Sequence, residues 1–335
     1  MRLRHRGQYI ILTILLFVLI VCDLCLGVVR IPVTELFSAF VRHGSSEVVE
    51  RILWGYRLPK LATALCVGIA LPTSGLLMQT VFRNPLAGPF VLGISFGATL
   101  GAALVIVLGG SVIFFSAPLT IALAACMGAL GVLFLVLLVN LRIRQANTLL
   151  IFGLMLSALL SSVVIILQYI SDERALRLFT LWTLGSFSAV SGSALQILTL
   201  SVFLGWALAW FCVRPLHLLQ LGERTARSLG LSIRTTYLLL FVATTLLAGV
   251  TTAFCGPIGF VGIAVPHLAR RIFRTAKQGI LLLGTPLLGM GFLVAADLLS
   301  SVLGRLEVLP INAITALLSL PLIFHLLFVG RRAHD

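Results

Sequence analysis

Two carboxylates lie inside apolar stretches of the chain, at Asp23 and Asp297. A charged side chain within a membrane is costly unless it faces water or a partner, so each carboxylate is a candidate functional group. Asp297 lies deep in its segment. There it can serve as a structural hydrogen-bonding group between helices or as the proton site of a secondary transporter. Asp23 lies nearer the outer end of its segment, and we expect it to be hydrated there.

Other residues that could support chemistry are sparse. The six histidines are scattered, the six cysteines lie in apolar segments, and no cluster has the spacing of a metal site. A phosphate-binding P-loop places lysine after glycine, whereas Lys60 and Lys277 follow proline and alanine. We therefore expect no catalytic residue, no metal and no cofactor in this chain. Any ATP hydrolysis that drives it must occur on another subunit.

The elements that position these residues are predicted to be membrane-spanning helices. Of the 335 residues 60% are hydrophobic and 10% are charged, and the mean hydropathy is +1.15, outside the range of soluble globular proteins. Several apolar runs reach the roughly 20 residues that cross a bilayer as a helix. Runs such as 10–26 and 280–294 lack the alternation of a β-barrel strand. The sequence predicts an all-α polytopic membrane protein with one domain over residues 1–335.

We predict about ten spans with both termini in the cytoplasm. The approximate ranges are 9–29, 57–80, 89–108, 115–139, 148–170, 193–212, 235–254, 257–273, 280–302 and 308–328. This arrangement places 16 of the 24 basic residues on the cytoplasmic side, which is the bias that sets orientation. The net charge of +14 is therefore interpreted as a topology signal, and we expect no nucleic-acid partner.

A basic cytoplasmic segment, residues 213–234, is predicted to contain a short amphipathic helix. Glu223 and Arg227 are spaced to form an i,i+4 ion pair. Three leucines share one helical face and a glycine suits the helix end: Leu218, Leu221, Leu229 and Gly230. Such a loop can anchor the topology or contact another chain.

Glycine and proline are concentrated in three further segments, Arg57–Lys60, Phe82–Gly97 and Gly256–Arg271. Glycines 93, 97 and 101 recur every fourth residue, a spacing typical of close helix packing. Proline at this density breaks helices, which is tolerated where protein or water satisfies the freed backbone groups. By physical chemistry alone these segments are turns and kinks in a helix bundle.

The same segments carry a family resemblance. In order along the chain stand RLPK from Arg57, GIALPTSGLLMQTVFRNPLAGPFVLGISFGA from Gly68, GPIGFVGIAVPHLARR from Gly256, AAD at 295–297 and LPI at 309–311. Together they resemble the permease subunit of ABC importers for iron–siderophore, haem and cobalamin uptake (the FecCD type, or type II importers). The motif residues are Asn84, Pro85, Gly93, Gly97, Gly256, Pro257, Gly259, Pro266, His267 and Asp297.

The resemblance implies a permease that pairs with a second permease, identical or different, in the inner membrane of a bacterium. Two cytoplasmic ATPase subunits would bind ATP and Mg, and a periplasmic binding protein would deliver substrate. Residues 213–234 would be the coupling loop that contacts the ATPase, through Leu218, Leu221, Gly222, Glu223, Arg224, Arg227 and Gly230. Ala146 and Asn147 would form a cytoplasmic gate.

Arg57 and Lys60 resemble the basic pair that meets acids of the binding protein. The family usually has arginine where this chain has Lys60, which keeps the charge but not the bidentate geometry. A further family arginine is replaced by Ser301, and Arg305, one helical turn on, is the candidate substitute.

Three functions remain open to the residues alone. They are an ATP-driven importer subunit, a proton-coupled secondary transporter that uses Asp297, and a channel-like helix bundle. The resemblance favours the first and leaves the substrate open among iron–siderophore, haem and cobalamin.

Overall fold

The computed structural model describes residues 2–27, 29–41, 46–109, 118–143, 145–304 and 309–331. Every regular element in these ranges is helical, which confirms the all-α prediction. The α-helices are α1 (Arg2–Cys25), α2 (Val33–Val41), α3 (Glu47–Ile52), α4 (Leu58–Val81), α5 (Ile94–Leu108), α6 (Pro118–Arg142), α7 (Ala146–Ile170), α8 (Glu173–Thr183), α9 (Gly192–Phe211), α10 (Val213–Gln220), α11 (Glu223–Ser228), α12 (Ile233–Thr244), α13 (Val250–Cys255), α14 (Val261–Phe273), α15 (Gln278–Leu303) and α16 (Ile311–Arg331).

Seven helical stretches of the described chain are long and apolar enough to cross a membrane. They are His5–Cys25, Glu47–Val81, Pro118–Arg142, Ala146–Ile170, Gly192–Phe211, Ile233–Cys255 and Gln278–Leu303. Two shorter apolar helices are Ile94–Leu108 and Ile311–Pro321. The predicted span 257–273 contains α14, whose 13 residues reach only about 20 Å at 1.5 Å per residue. A multi-pass membrane protein is confirmed, and the count of ten spans stays a prediction.

Helix α4 lies at the centre of the bundle. Of its 24 residues 18 are buried, and they lie on all sides of the helix. A helix that is buried all round must be enclosed by other helices. Here α9, α14 and α15 pack around it.

A proline in α4 explains how closely α15 approaches. Pro72 has no N–H to donate to the carbonyl of Gly68, four residues earlier. A Cβ atom at Gly289 of α15 would lie 2.1 Å from that carbonyl oxygen. The carbonyl that lacks its helical donor therefore lies directly against Gly289 of the neighbouring helix, where there is room for a Cα–H group but not for a side chain.

The same arrangement joins α14 to α4. Pro266 leaves the carbonyl of Gly262 without its helical donor, and a Cβ atom at Gly75 would lie 1.7 Å from that oxygen. The alternation of proline and glycine in both family strings thus has a packing reason.

The predicted glycine contact is confirmed between α5 and α6. Cβ atoms at Gly97 and Gly101 would lie 2.5 Å and 2.1 Å from the carbonyl oxygens of Gly128 and Ala124. Gly93 serves differently, because it precedes α5 with φ at +77°, a backbone conformation that glycine adopts without strain.

Two glycines of α6 provide a matched test of this packing. A Cβ atom at Gly128 would lie 2.0 Å from the carbonyl oxygen of Gly97, whereas one at Gly131 meets nothing within 4 Å. Gly128→Ala should destabilise the protein by about 1–3 kcal/mol through overpacking, and Gly131→Ala should leave it unchanged or more stable. Thermal unfolding of both variants in the same nanodiscs checks this. Equal melting temperatures would contradict the contact.

Candidate functional site

The predicted cytoplasmic loop folds as a pair of short helices, α10 and α11, joined at Gly222. Gly222 has φ at +105°, which favours glycine at this turn. Leu216 and Leu219 are buried and fix the pair to the bundle. Leu221 and Leu229, in contrast, are 62% and 59% exposed. The loop therefore presents two apolar side chains away from the protein.

The remaining predicted residues of the loop also fall into a group that packs on the bundle and a group that is exposed. Leu218 is partly buried and packs on the core, while Arg224 and Arg227 are exposed. Gly230 has φ at +85° and follows α11 at its C-terminal end, as expected for a helix-ending glycine.

Helix α10 is attached to the start of α15 by two hydrogen bonds. The Nδ1–H of His217 donates to the carbonyl of Val213 at 2.8 Å, which leaves Nε2 free to accept from the backbone N–H of Gln278 at 3.1 Å. The amide of Gln220 donates to the carbonyl of Ala276 at 3.2 Å. His217 is a functional candidate that the sequence did not single out, because its partner lies 61 residues away.

Helix α11 is attached to two membrane helices through one carboxylate. Oε1 of Glu223 accepts from the hydroxyl of Tyr237 on α12 at 2.6 Å and from the backbone N–H of Ala146, the first residue of α7, at 3.2 Å. A carboxylate at a helix N-terminus is stabilised by the unpaired N–H groups and the helix dipole. The predicted coupling loop and the predicted gate therefore meet at Glu223.

This contact corrects the predicted Glu223–Arg227 ion pair. Within the described residues Glu223 forms no ion pair, because its carboxylate is bound to Tyr237 and Ala146 instead. Ala146 is buried and Asn147 is exposed, so the two predicted gate residues lie in different environments. Tyr237 was missed by the sequence reasoning, although a tyrosine in the first turns of an apolar helix was a usable signal.

The segment after α4 lies against the same loop. Asn84 accepts from the backbone N–H of Leu86 at 2.9 Å through its side-chain oxygen, and Pro85 lies within that turn. A Cβ atom at Gly222 would lie 3.6 Å from Nη1 of Arg83. The family string at 82–93 thus lies beside the coupling loop.

At the opposite, outer end of α4, Lys60 forms an ion pair with Asp297 of α15. The Nζ–Oδ1 distance is 2.9 Å, and the two side chains are 8% and 3% exposed. Nζ also donates to the hydroxyl of Ser301 at 2.9 Å. Asp297 therefore links α15 to α4. This geometry matches the first of its two predicted roles, a structural bond between helices, and not a proton site. Ser301, where the family has arginine, binds this lysine.

Arg57 is also bound within the chain. Its guanidinium donates to the carbonyls of Leu24 and Val29. Asp23 is buried too. It lines a cavity of about 230 Å³ together with Arg57 and Lys60, and its expected hydration stays a prediction.

The burial of Arg57 and Lys60 limits the docking role that was predicted for them. Both side chains are buried and neither presents its charge to solvent in this conformation. Arg305, the third predicted docking residue, lies outside the described residues.

The second family string joins three segments near this end. Gly256 has φ at +75°, and a Cβ atom there would lie 2.3 Å from the carbonyl oxygen of Trp182. The backbone N–H of Gly259 donates to Oδ1 of Asn312 at 3.0 Å. Pro257 lies between them, in the turn that links α13 to α14. These residues fix the ends of α8, α13 and α16 to one another.

His267, in α14, is partly buried and directly follows Pro266. No group of three or more histidine, cysteine, aspartate or glutamate side chains in the described ranges could hold a metal ion.

Comparison with known proteins decides the family. The FecCD transport family matches residues 14–329. The chain belongs to the FecCD transport family. The match includes the glycine and proline strings that carried the resemblance, at 68–98 and 256–271.

Individual relatives cover nearly the whole chain. The vitamin B12 import system permease protein BtuC of Klebsiella pneumoniae subsp. pneumoniae is 36% identical over 330 residues, 98% of this chain and 95% of that protein. The hemin transport system permease protein HmuU of Yersinia pestis is 34% identical over 327 residues, 96% of this chain and 95% of that protein. A solved inward-facing structure of a putative metal-chelate type ABC transporter covers 96% of this chain and 99% of its own, with a TM-score of 0.85 and 30% identity.

The Glu223 contact can be tested by removing one hydroxyl. Tyr237→Phe deletes a hydrogen bond to a charged group, a loss of about 1.5–3 kcal/mol, and should speed hydrogen–deuterium exchange of residues 146–149 and 222–230. Tyr169→Phe is the control, because Tyr169 is 90% exposed. Unchanged exchange at the start of α7 in Tyr237→Phe would show that Glu223 does not hold the loop to that helix.

Proposed function

We propose that this chain is the membrane-spanning subunit of an ATP-driven importer of an iron–siderophore, haem or cobalamin-type substrate. The observation that carries the proposal is the coupling loop, which exposes Leu221 and Leu229 while Glu223 binds it to the start of α7. The relatives named for vitamin B12 and hemin transport support this substrate class. We place the chain in the inner membrane of a bacterium.

The ATPase subunits would seat on the exposed face of α10 and α11. Two exposed leucines with Arg224 and Arg227 beside them form an apolar patch with a charged rim, which is the usual anatomy of a protein interface. ATP and Mg would bind to those subunits. Movement of the loop would reach α7 through Glu223 and α15 through His217, so ATP-driven motion has a route to the gate at Ala146 and Asn147.

A second permease, identical or different, would complete the pathway. Proton-coupled transport through Asp297 is not favoured, because Oδ1 of Asp297 is already in an ion pair with Lys60 at 2.9 Å and family members are permeases of ABC transporters.

The ATPase contact is tested by changing the exposed leucines. Leu221→Gln with Leu229→Gln should abolish co-purification of the ATPase subunits and ATP-driven uptake while leaving the melting temperature unchanged, since both side chains already face water. Leu176→Gln is the control, because Leu176 is 40% exposed on α8, outside the loop. Retained ATPase binding in the double variant, or uptake driven by a pH gradient alone, would contradict the proposal.

On the outer side, a periplasmic binding protein would dock at Arg57 and Lys60, with Arg305 as a third contact. Because both described side chains are bound internally, docking would have to exchange their partners for carboxylates of the binding protein. Their position beside the cavity of about 230 Å³ leaves room for that exchange.

The docking surface is tested by measuring affinity for the binding protein. Arg57→Gln and Lys60→Gln should each weaken it, whereas Arg51→Gln should not, because Arg51 is exposed and pairs with Glu47 at 3.3 Å. Equal affinity in all three variants would assign Arg57 and Lys60 a purely structural role.

A further inference from the structure

A groove of about 540 Å³ opens on the side of the bundle between α1, α4, α9 and α15. Its walls are mainly apolar side chains, among them Ile69, Val202, Phe203, Leu283, Leu287 and Met290. Phe203 and Leu283 are 62% and 45% exposed, so the groove is open to its surroundings. These four helices lie in stretches that are long and apolar enough to cross a membrane, so in a bilayer the groove would face lipid.

The polar groups at the inner end of the groove already have partners. The hydroxyl of Tyr9 donates to the carbonyl of Ile280 at 2.8 Å. The indole N–H of Trp206 donates to the carbonyl of Leu282 at 3.2 Å. That carbonyl lacks its helical donor because Pro286 stands four residues later. The Trp206 side chain thus supplies the hydrogen bond that Pro286 cannot, and it forms part of the groove wall.

The two other polar side chains of the wall are also bonded. The hydroxyl of Thr199 donates to the carbonyl of Leu195 at 2.8 Å, and Sγ of Cys66 lies 3.5 Å from that hydroxyl oxygen. A polar ligand would therefore lose its hydration without gaining hydrogen bonds. The groove suits an apolar occupant.

Three exposed cations, Arg6, Arg214 and Lys277, occur near the inner ends of the helices that form the groove. Arg6 lies one helical turn before Tyr9, and Lys277 immediately precedes α15. Arg214 follows Val213, whose Cγ1 lies 3.7 Å from a Cβ position at Gly279, so the start of α10 is beside the start of α15. All three side chains are exposed.

Acidic residues are missing from the same region of the sequence. None occurs in residues 1–22, 192–222 or 261–296, which contain α10 and most of the groove-forming parts of α1, α9 and α15. The cationic rim is therefore not neutralised by these segments, and an anion can approach it from the cytoplasmic side.

The dimensions fit one leaflet. From Leu282 to Met290 the groove extends about 12 Å along α15, at 1.5 Å per residue. Half of a hydrocarbon core about 30 Å thick is roughly 15 Å. An acyl chain lying in the groove would place its headgroup at the height of the three cations.

We propose that the groove binds an anionic phospholipid of the cytoplasmic leaflet, with one acyl chain along α15 and the phosphate held by Arg6, Arg214 and Lys277. Basic sites between membrane helices on the cytoplasmic side are suited to anionic headgroups. Since the groove offers no polar partner and opens to lipid, the transported substrate is not its occupant.

Native mass spectrometry of the full chain, released from nanodiscs of equal phosphatidylglycerol and phosphatidylcholine, tests the charge requirement. Wild type should retain phosphatidylglycerol preferentially. The triple variant Arg6→Gln, Arg214→Gln and Lys277→Gln should prefer phosphatidylglycerol over phosphatidylcholine about tenfold less than wild type does, because each of the three cations attracts anionic lipid. The matched control removes three exposed arginines from elsewhere in the chain, Arg51, Arg174 and Arg177, and should keep it. Equal retention of both lipids by wild type, or equal loss in both triple variants, would overturn the proposal.

Fluorescence tests the position of the acyl chain. Phosphatidylglycerol with a brominated chain should quench tryptophan emission more than brominated phosphatidylcholine at the same mole fraction, and Trp206→Phe should remove the difference. An unchanged difference in Trp206→Phe would place the chain elsewhere. Cross-linking between two copies through Phe203→Cys and Leu283→Cys would show that a second copy fills the groove, which also overturns the proposal.

Discussion

The carboxylate of Glu223 is the contact on which the cytoplasmic side of the structure depends. It accepts one hydrogen bond from a side chain of α12 and one from the first backbone N–H of α7. Apolar packing is non-directional, so helices that contact one another only through apolar side chains can slide past each other without losing much contact. Two hydrogen bonds to a charged group are directional and roughly twice as strong as neutral ones. They give the loop one defined position relative to the helix that begins at the gate.

The helices at the centre of the bundle pack too closely to rearrange easily. Helix α4 is buried on all sides, and its carbonyl at Gly68, like that of Gly262 on α14, lies against a glycine of the next helix. Close-packed interfaces of this kind do not deform gradually. The contacts that α10 and α11 make with the ends of α7, α12 and α15 are therefore the route by which the proposed motion of the loop would reach the bundle.

Local sequence patterns predicted much of this architecture. Apolar runs predicted the helices, and glycine spacing predicted the contact between α5 and α6. The orientation inferred from the basic residues stays a prediction. The coupling loop was found because its charge and leucine spacing are local signals. Helical periodicity placed Leu218, Leu221 and Leu229 on one face of a single helix. The chain instead turns at Gly222 between α10 and α11, and Leu218 packs on the core while Leu221 and Leu229 are exposed.

What the sequence could not predict are contacts between distant residues. Glu223 was assigned to Arg227 because only near neighbours can be paired from spacing, while its partner Ala146 lies 77 positions away. Lys60 was expected at a docking surface, and its hydrogen bond to Ser301 joins residues 241 positions apart. The position of Asp23 near a span end likewise gave no sign that it is buried beside a cavity shared with Arg57 and Lys60. In each case tertiary packing, which leaves no local pattern, determined the environment of a charge.

In the proposed function, Glu223 transmits motion of the loop to α7, which begins at the predicted gate. The most direct test is the amount of substrate imported per ATP hydrolysed, measured in proteoliposomes that contain this chain with its ATPase subunits and binding protein. In Glu223→Ala we expect the ATPase to remain bound and active while the import per ATP falls sharply. An unchanged ratio, with normal import and normal hydrolysis, would contradict the account.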